Sequence, residues 1–143
     1  MEIRRLDVKD AESVAILSNK NKEFFQYEVN AEFLTQFVNY PGFVMFVGEE
    51  KGEIVGFCGA RYGEGSAELG PLCVNEKYRK KGVAGKLLET VVDFVNANGA
   101  KKMIVKVKEN NETGITFFKK HGFHDKAMVD CCGPAKLFIK TLR

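Results

Sequence analysis

The chain has 143 residues, 45% of them hydrophobic and 29% charged, with a formal net charge of +3. That is enough to bury one substantial core and too little to divide comfortably between two, so one compact domain over 1–143 is expected. The modest charge gives no global field for a nucleic acid. No apolar run approaches the roughly 18 to 20 residues of a membrane span, and the start "MEIRRLDVKD" lacks the apolar stretch of a secretory signal. The expected setting is cytoplasmic, without a membrane or nucleic-acid partner.

"EIRRL" reads as a short strand, and Asp7 with Asp10 as an N-cap and acidic first turn opening a helix through "AESVAILSNK". A second helix, "AEFLTQFVNY", is bounded by Pro41, which biases Tyr40 away from helical backbone. "GFVMFVGEE" and "EIVGFCGAR" form a hairpin across "EKG". "SAELGPLCV" is a third strand in which Gly70 and Pro71 predict a bulge or an unpaired edge.

From Gly82 the apolar positions Val83, Ala84, Leu87, Leu88, Val91, Val92 and Val95 recur at helical spacing, and Gly99 ends the run. "KMIVKVK" alternates as a strand should. Asn110 or Asn111 then caps a short helix "ETGITFFKKH" that Gly122 terminates, and two strands, "FHDKAMVD" and "AKLFIKTL", follow across "CGP". The order β-α-α-β-β-β-α-β-α-β-β predicts an α/β fold of the α+β type, with helices packed on a mixed sheet.

Lys77, Arg79, Lys80, Lys81 and Lys86 crowd ten residues at the entrance of the third long helix, after a strand and a tight turn. Unpaired backbone N–H groups and the positive end of a helix dipole converge at such a place, which suits a small polyanion. A Walker loop is excluded, because Lys80 stands where its first glycine belongs and Leu87 where its hydroxyl belongs. A dinucleotide fingerprint is excluded too, since Gly82 and Gly85 stand three apart. The pattern that fits is R-x-x-G-x-A, over Arg79 to Ala84 after "LCV".

With this pattern and the downstream segment "NNETGITFFKKHGF" the chain resembles the GCN5-related N-acetyltransferase (GNAT) family. That segment supplies Asn111, Gly114, Phe117, Phe118, Gly122 and Phe123 at the family's spacing, and the resemblance spans essentially the whole chain. It implies acetyl-CoA as co-substrate and a primary amine of a small molecule or peptide as acceptor. It further implies that the backbone of Leu72, Cys73 and Val74 pairs with the pantetheine arm as an added strand would. The backbone from Lys80 through Lys81, Gly82, Val83, Ala84 and Gly85 to Lys86 then faces the pyrophosphate, with Arg79 and the lysines screening its charge. Asn111 reaches the arm and Phe117 or Phe118 lies along it.

The amine must attack as its free base, so a proton acceptor is required. Glu68 is the first choice, sharing the parity of Gly70, Leu72 and Val74 if no bulge intervenes, and Glu64 is the second. A backbone N–H near Cys73 or Val74 would hold the oxyanion. Many family members carry Tyr where this chain has Phe118, which has no proton for the departing thiolate; Tyr78 is a substitute acid, and a non-catalytic or regulatory acyl-CoA-binding domain is the alternative function.

His121 and His124 lack partners at ligand spacing and read as surface residues, so no metal site is expected. Cys58 and Cys73 lie in apolar strands and are expected to pack; adjacent Cys131 and Cys132 receive no role. Phe24, Phe25, Tyr27, Phe33, Phe37 and Tyr40 are expected mostly in the core, with one or two bordering the acceptor. The last strands offer a surface for a homodimer.

Overall fold

The computed structural model describes residues 1–21, 29–130 and 133–143. β1 (Glu2–Arg5) leads through a 3-10 turn (Val8–Asp10) into α1 (Ala11–Lys20), which is followed by α2 (Ala31–Phe37). Strands β2 (Phe43–Glu50), β3 (Glu53–Gly63) and β4 (Ser66–Val74) come next, then a further 3-10 turn (Glu76–Tyr78) and α3 (Val83–Ala97). β5 (Lys102–Lys108), α4 (Glu112–Lys120), β6 (His124–Asp130) and β7 (Pro134–Thr141) complete the expected mixed α/β order. Phe24, Phe25, Tyr27, Cys131 and Cys132 lie outside the described residues.

Local chemistry sets the helix ends. Asp7 Oδ1 accepts from the Lys9 N–H at 3.1 Å, and Asp10 Oδ2 accepts from the Asp7 N–H at 2.9 Å, so the two carboxylates reciprocally cap the 3-10 turn that leads into α1. Asp10 also receives both terminal nitrogens of Arg4, at 2.7 and 3.0 Å, which ties β1 to α1. Asn30 caps α2 through the Phe33 N–H at 2.8 Å. α2 ends at Phe37, three residues short of the expected Tyr40, with turns filling the approach to Pro41.

Among the described residues seven strands form one sheet in the order β1-β2-β3-β4-β5-β7-β6, antiparallel except for the β4–β5 pair. One face is covered by α3, whose Leu87, Leu88, Val91 and Val95 are at most 1% exposed and meet Val44, Cys58, Ala60, Met103 and Val105. Each such burial contributes about 1.5 to 3 kcal/mol, which holds α3's entrance at a fixed place over the sheet. α1 and α2 cover the opposite face, where Val14, Leu17 and Leu34 pack on Phe43, Met45, Val47, Phe57 and Cys73. Among the described residues no helix is long and apolar enough to cross a membrane.

The parallel pair is nearly unzipped. β4 and β5 are in register only at Ser66↔Lys102, Ala67↔Met103 and Glu68↔Ile104, although β4 runs on to Val74 and β5 to Lys108. The predicted bulge is present at the divergence. Between the pairs Ala60↔Leu69 and Cys58↔Leu72, Gly70 and Pro71 together oppose the single residue Gly59. Pro71 has no N–H to give a neighbouring strand, and a bulge bends and twists the strand that carries it.

The bulge also reverses which face each residue occupies. Ala67 and Leu69 pack on α3's side, and so do Leu72 and Val74, whereas Cys73 is buried against α1 and α2. Glu68 therefore lies on the α1/α2 face, not on the face of Leu72 and Val74 as the simple parity had it.

Candidate functional site

Where β4 and β5 part, a cleft of about 1140 Å³ passes through the sheet. At its α3 side it is lined by Tyr78, Gly82, Val83, Gly85, Asn111 and Phe117; at its α1/α2 side by Phe33, Phe43, Met45, Arg61, Glu68 and Lys106. The predicted cofactor residues Leu72, Cys73, Val74, Arg79, Lys80, Ala84, Lys86 and Phe118 also line it. Lys81 is outside the lining and sits over the Tyr78 ring, Nζ 5.7 Å from its centroid.

The β4 backbone presents alternate residues to the cleft. The Asn75 N–H donates to the Val55 carbonyl at 2.7 Å, so the Val74 carbonyl, which points the opposite way along extended backbone, faces away from β3. The same alternation turns Leu72's N–H and carbonyl and Val74's N–H into the gap and directs those of Cys73 towards Phe57, its partner on β3. Of the three residues expected to pair with a ligand strand, Leu72 and Val74 thus offer backbone groups and Cys73 does not. Burial pushes the Cys73 thiol up to about 11, opposed by the nearby Arg79 charge, which leaves it a packing residue.

Arg79 makes two contacts that the motif does not suggest. Its Nε donates to the Val74 carbonyl at 3.1 Å and its Nη2 to Asn21 Oδ1 at 2.6 Å. The guanidinium braces the end of β4 against the end of α1, and it lines the cleft at the helix entrance together with Lys80 and Lys86.

The turn into α3 is left-handed at Lys80 (φ 62°) and again at Gly82 (φ 81°), the residue that caps the helix. A Cβ built on Gly82 meets nothing within 4 Å, so glycine is present for its backbone angle and for the open space before it. The first helical bond comes from the Lys86 N–H to the Gly82 carbonyl at 3.1 Å, and Gly82 has no side chain to cap the amides before it. The N–H groups of Val83, Ala84 and Gly85 are therefore free of the helix ladder at its positive end, with no acidic residue in the first turn. Gly85 has a second reason to be small, because a Cβ there would stand 3.2 Å from Cε1 of His121, the residue that caps the end of α4. His121, expected at the surface, is half-buried against Phe117 at 4.5 Å between ring centroids.

Asn111 caps α4, accepting from the Gly114 N–H at 2.9 Å through Oδ1. Its Nδ2 is then the donor it can present to the cleft. Phe118 is 7% exposed and packs edge-on against Phe117 and Phe123 at 5.2 and 5.4 Å, so it is a wall.

Glu68 stands at the root of the gap, on the last β4–β5 pair. Its carboxylate lies between two cations, Lys106 Nζ at 3.6 Å and Arg61 Nη2 at 4.0 Å. Glu64 is in the exposed turn between β3 and β4 and does not line the cleft. Neither Arg61 nor Lys106 was singled out in the sequence. The signal was present: Arg61 faces Glu68 across the hairpin, and Lys106 alternates with the buried Val105 and Val107.

Residues 14–123 match the profile of the acetyltransferase (GNAT) family. An uncharacterised N-acetyltransferase, YhfO, of Bacillus subtilis (strain 168) is 27% identical over 143 residues, covering 92% of this chain and 96% of that protein. Among solved structures, the PaiA N-acetyltransferase of Thermoplasma acidophilum in complex with coenzyme A superposes with a TM-score of 0.86 at 21% identity, over 99% of this chain and 98% of its own. The ribosomal-protein-alanine N-acetyltransferase of Brucella melitensis gives 0.85 at 21% identity, over 99% and 100%.

Proposed function

The chain belongs to the acetyltransferase (GNAT) family, and from that premise we propose that it transfers an acetyl group from acetyl-CoA to a primary amine of a small molecule or peptide. The observation that carries this reading is the unzipped β4–β5 pair. It joins an anion-binding helix entrance at one mouth of the cleft to a carboxylate at the other.

The residues fit CoA by their chemistry. The free amides of Val83, Ala84 and Gly85, aided by Lys80 and Lys86, suit a pyrophosphate. Leu72 and Val74 offer backbone groups to the peptide-like pantetheine, as an open strand edge does to a peptide, and Asn111 Nδ2 adds a donor. Phe117 and Phe118 supply an apolar wall beside the arm.

The amine enters from the α1/α2 side and attacks the thioester carbon directly. Glu68 takes its proton, through water where the amine is out of direct reach. The Leu72 N–H, turned into the gap on the Glu68 side of Val74, is the donor best placed for the oxyanion. CoA departs as a thiolate, which a thiol of pKa about 8.5 does without a dedicated acid; Tyr78, half-buried on the cleft wall, is the side chain that can return a proton to it. Phe118 favours one alternative, a domain that holds acyl-CoA without turnover.

Free-thiol release from acetyl-CoA in the presence of a panel of amines, peptides and polyamines separates the two. The transferase reading expects release with at least one acceptor and a larger fall in turnover than in acetyl-CoA affinity on Glu68→Gln. Calorimetric CoA binding with no release across the panel favours the binder.

A further inference from the structure

We propose that the acceptor is a primary amine that also carries a carboxylate and an apolar side group, with Arg61 and Lys106 recognising the carboxylate. This names the substrate class of the acceptor mouth and rests on the transferase reading above.

The first ground is charge. Arg61, Glu68 and Lys106 occupy the same face of neighbouring strands at the root of the gap, and all three line the cleft. Two cations flank one carboxylate, so among these residues one positive charge is left over. A polyamine or any other polycationic acceptor would bring further positive charge to a place already in excess of it. An amine with its own carboxylate brings the missing anion.

The second ground is geometry. The contacts to Glu68, 3.6 Å from Lys106 and 4.0 Å from Arg61, are ion pairs but too long to be hydrogen bonds. The Arg61 side chain is 77% exposed. Its planar fork therefore retains donors for the bidentate grip that guanidinium makes on a carboxylate. The third ground is the wall beside these charges, where Phe33, Leu34, Phe43 and Met45 line the cleft. Phe33 is 40% exposed, an apolar surface that an acceptor's side group would cover.

The arrangement also serves the chemistry. Positive neighbours disfavour the ammonium form of a bound amine and favour the free base that attacks.

The test uses products, so that recognition is read without turnover. N-acetylphenylalanine and N-acetylphenylalaninamide are titrated calorimetrically into the CoA-saturated protein. The carboxylate form should bind at least about tenfold tighter, and the double variant Arg61→Gln, Lys106→Gln should erase the difference while CoA affinity, measured first, reports an intact fold. Equal affinities, tighter binding of the amide, no binding of either, or a preference that survives the double variant would each overturn the proposal. Thiol release in the same preparation tests the transferase reading separately: active turnover with spermidine preferred over phenylalanine sinks the acceptor class and leaves acetyl transfer standing.

Discussion

Asn111 and Gly114 are matched at close range: Asn111 Oδ1 accepts the Gly114 N–H at 2.9 Å, and a Cβ on Gly114 would stand only 2.7 Å from Asn111 Nδ2. The spacing of a small residue three after an asparagine is thus a steric requirement of the cap. Gly114→Ala should expel the carboxamide, destabilise the protein by about 1 kcal/mol as lost N-caps do, and lower CoA affinity severalfold. Urea unfolding and calorimetry on the same variant check both; an alanine variant with the original midpoint and affinity would show that the cap tolerates the methyl and does not orient Asn111.

Arg79→Lys distinguishes a brace from a charge. Lysine keeps the cation but cannot donate at once to the Val74 carbonyl and Asn21. The expected outcome is a stability loss of about 1 kcal/mol together with weaker CoA binding. Undiminished CoA affinity at low salt, lost as salt is added, would instead mark Arg79 as a phosphate-facing charge.

Gly82 carries two separable demands. At φ 81° asparagine is tolerated, while a β-branched residue is strained by about 1 to 2 kcal/mol. Gly82→Asn should fold almost as the parent does, Gly82→Val should be less stable, and both should bind CoA at least about tenfold more weakly by filling the space before the amides. Full CoA affinity in the asparagine variant would remove Gly82 from the cradle.

Much of this arrangement was legible in the sequence because it is local. Helix periodicity, the capping residues Asn111 and Asp7, and the Gly70–Pro71 bulge each have short-range physical causes. What escaped was the consequence of the bulge at a distance. One extra residue moves Glu68 to the opposite face from Leu72 and Val74, and the alternation that follows turns the Cys73 backbone away from the gap. The motif around Arg79 suggests a phosphate cation and says nothing of its brace. Its partner Asn21 lies 58 residues away, a contact that no local spacing predicts. Lys106 and Arg61 become a pair only when β5 is laid beside β4.

Asp10 supplies a pH prediction. The hydrogen-bonded Arg4 guanidinium holds its carboxyl below the usual range, against the upward push of burial, and the Asp7 N–H adds to the lowering. A depressed folded value means that the stabilisation is present above the unfolded value of about 3.9 and is lost as pH falls through the folded one. Urea midpoints from pH 7 down to pH 3 should therefore decline for the parent. Asp10→Asn should lose about 2 kcal/mol at pH 7, less than a fully buried pair because Arg4 stays partly hydrated, and its decline should be shallower. Parallel declines would rule out this pair as a source of acid sensitivity.

The most direct test of the cleft assignment is a crystal structure with acetyl-CoA. Pyrophosphate oxygens should lie on the N–H groups of Val83, Ala84 and Gly85, pantetheine amides on Leu72 and Val74, and the thioester beside the Leu72 N–H, towards Glu68 at the root of the gap. CoA bound elsewhere, or its diphosphate turned away from the α3 entrance, would contradict it.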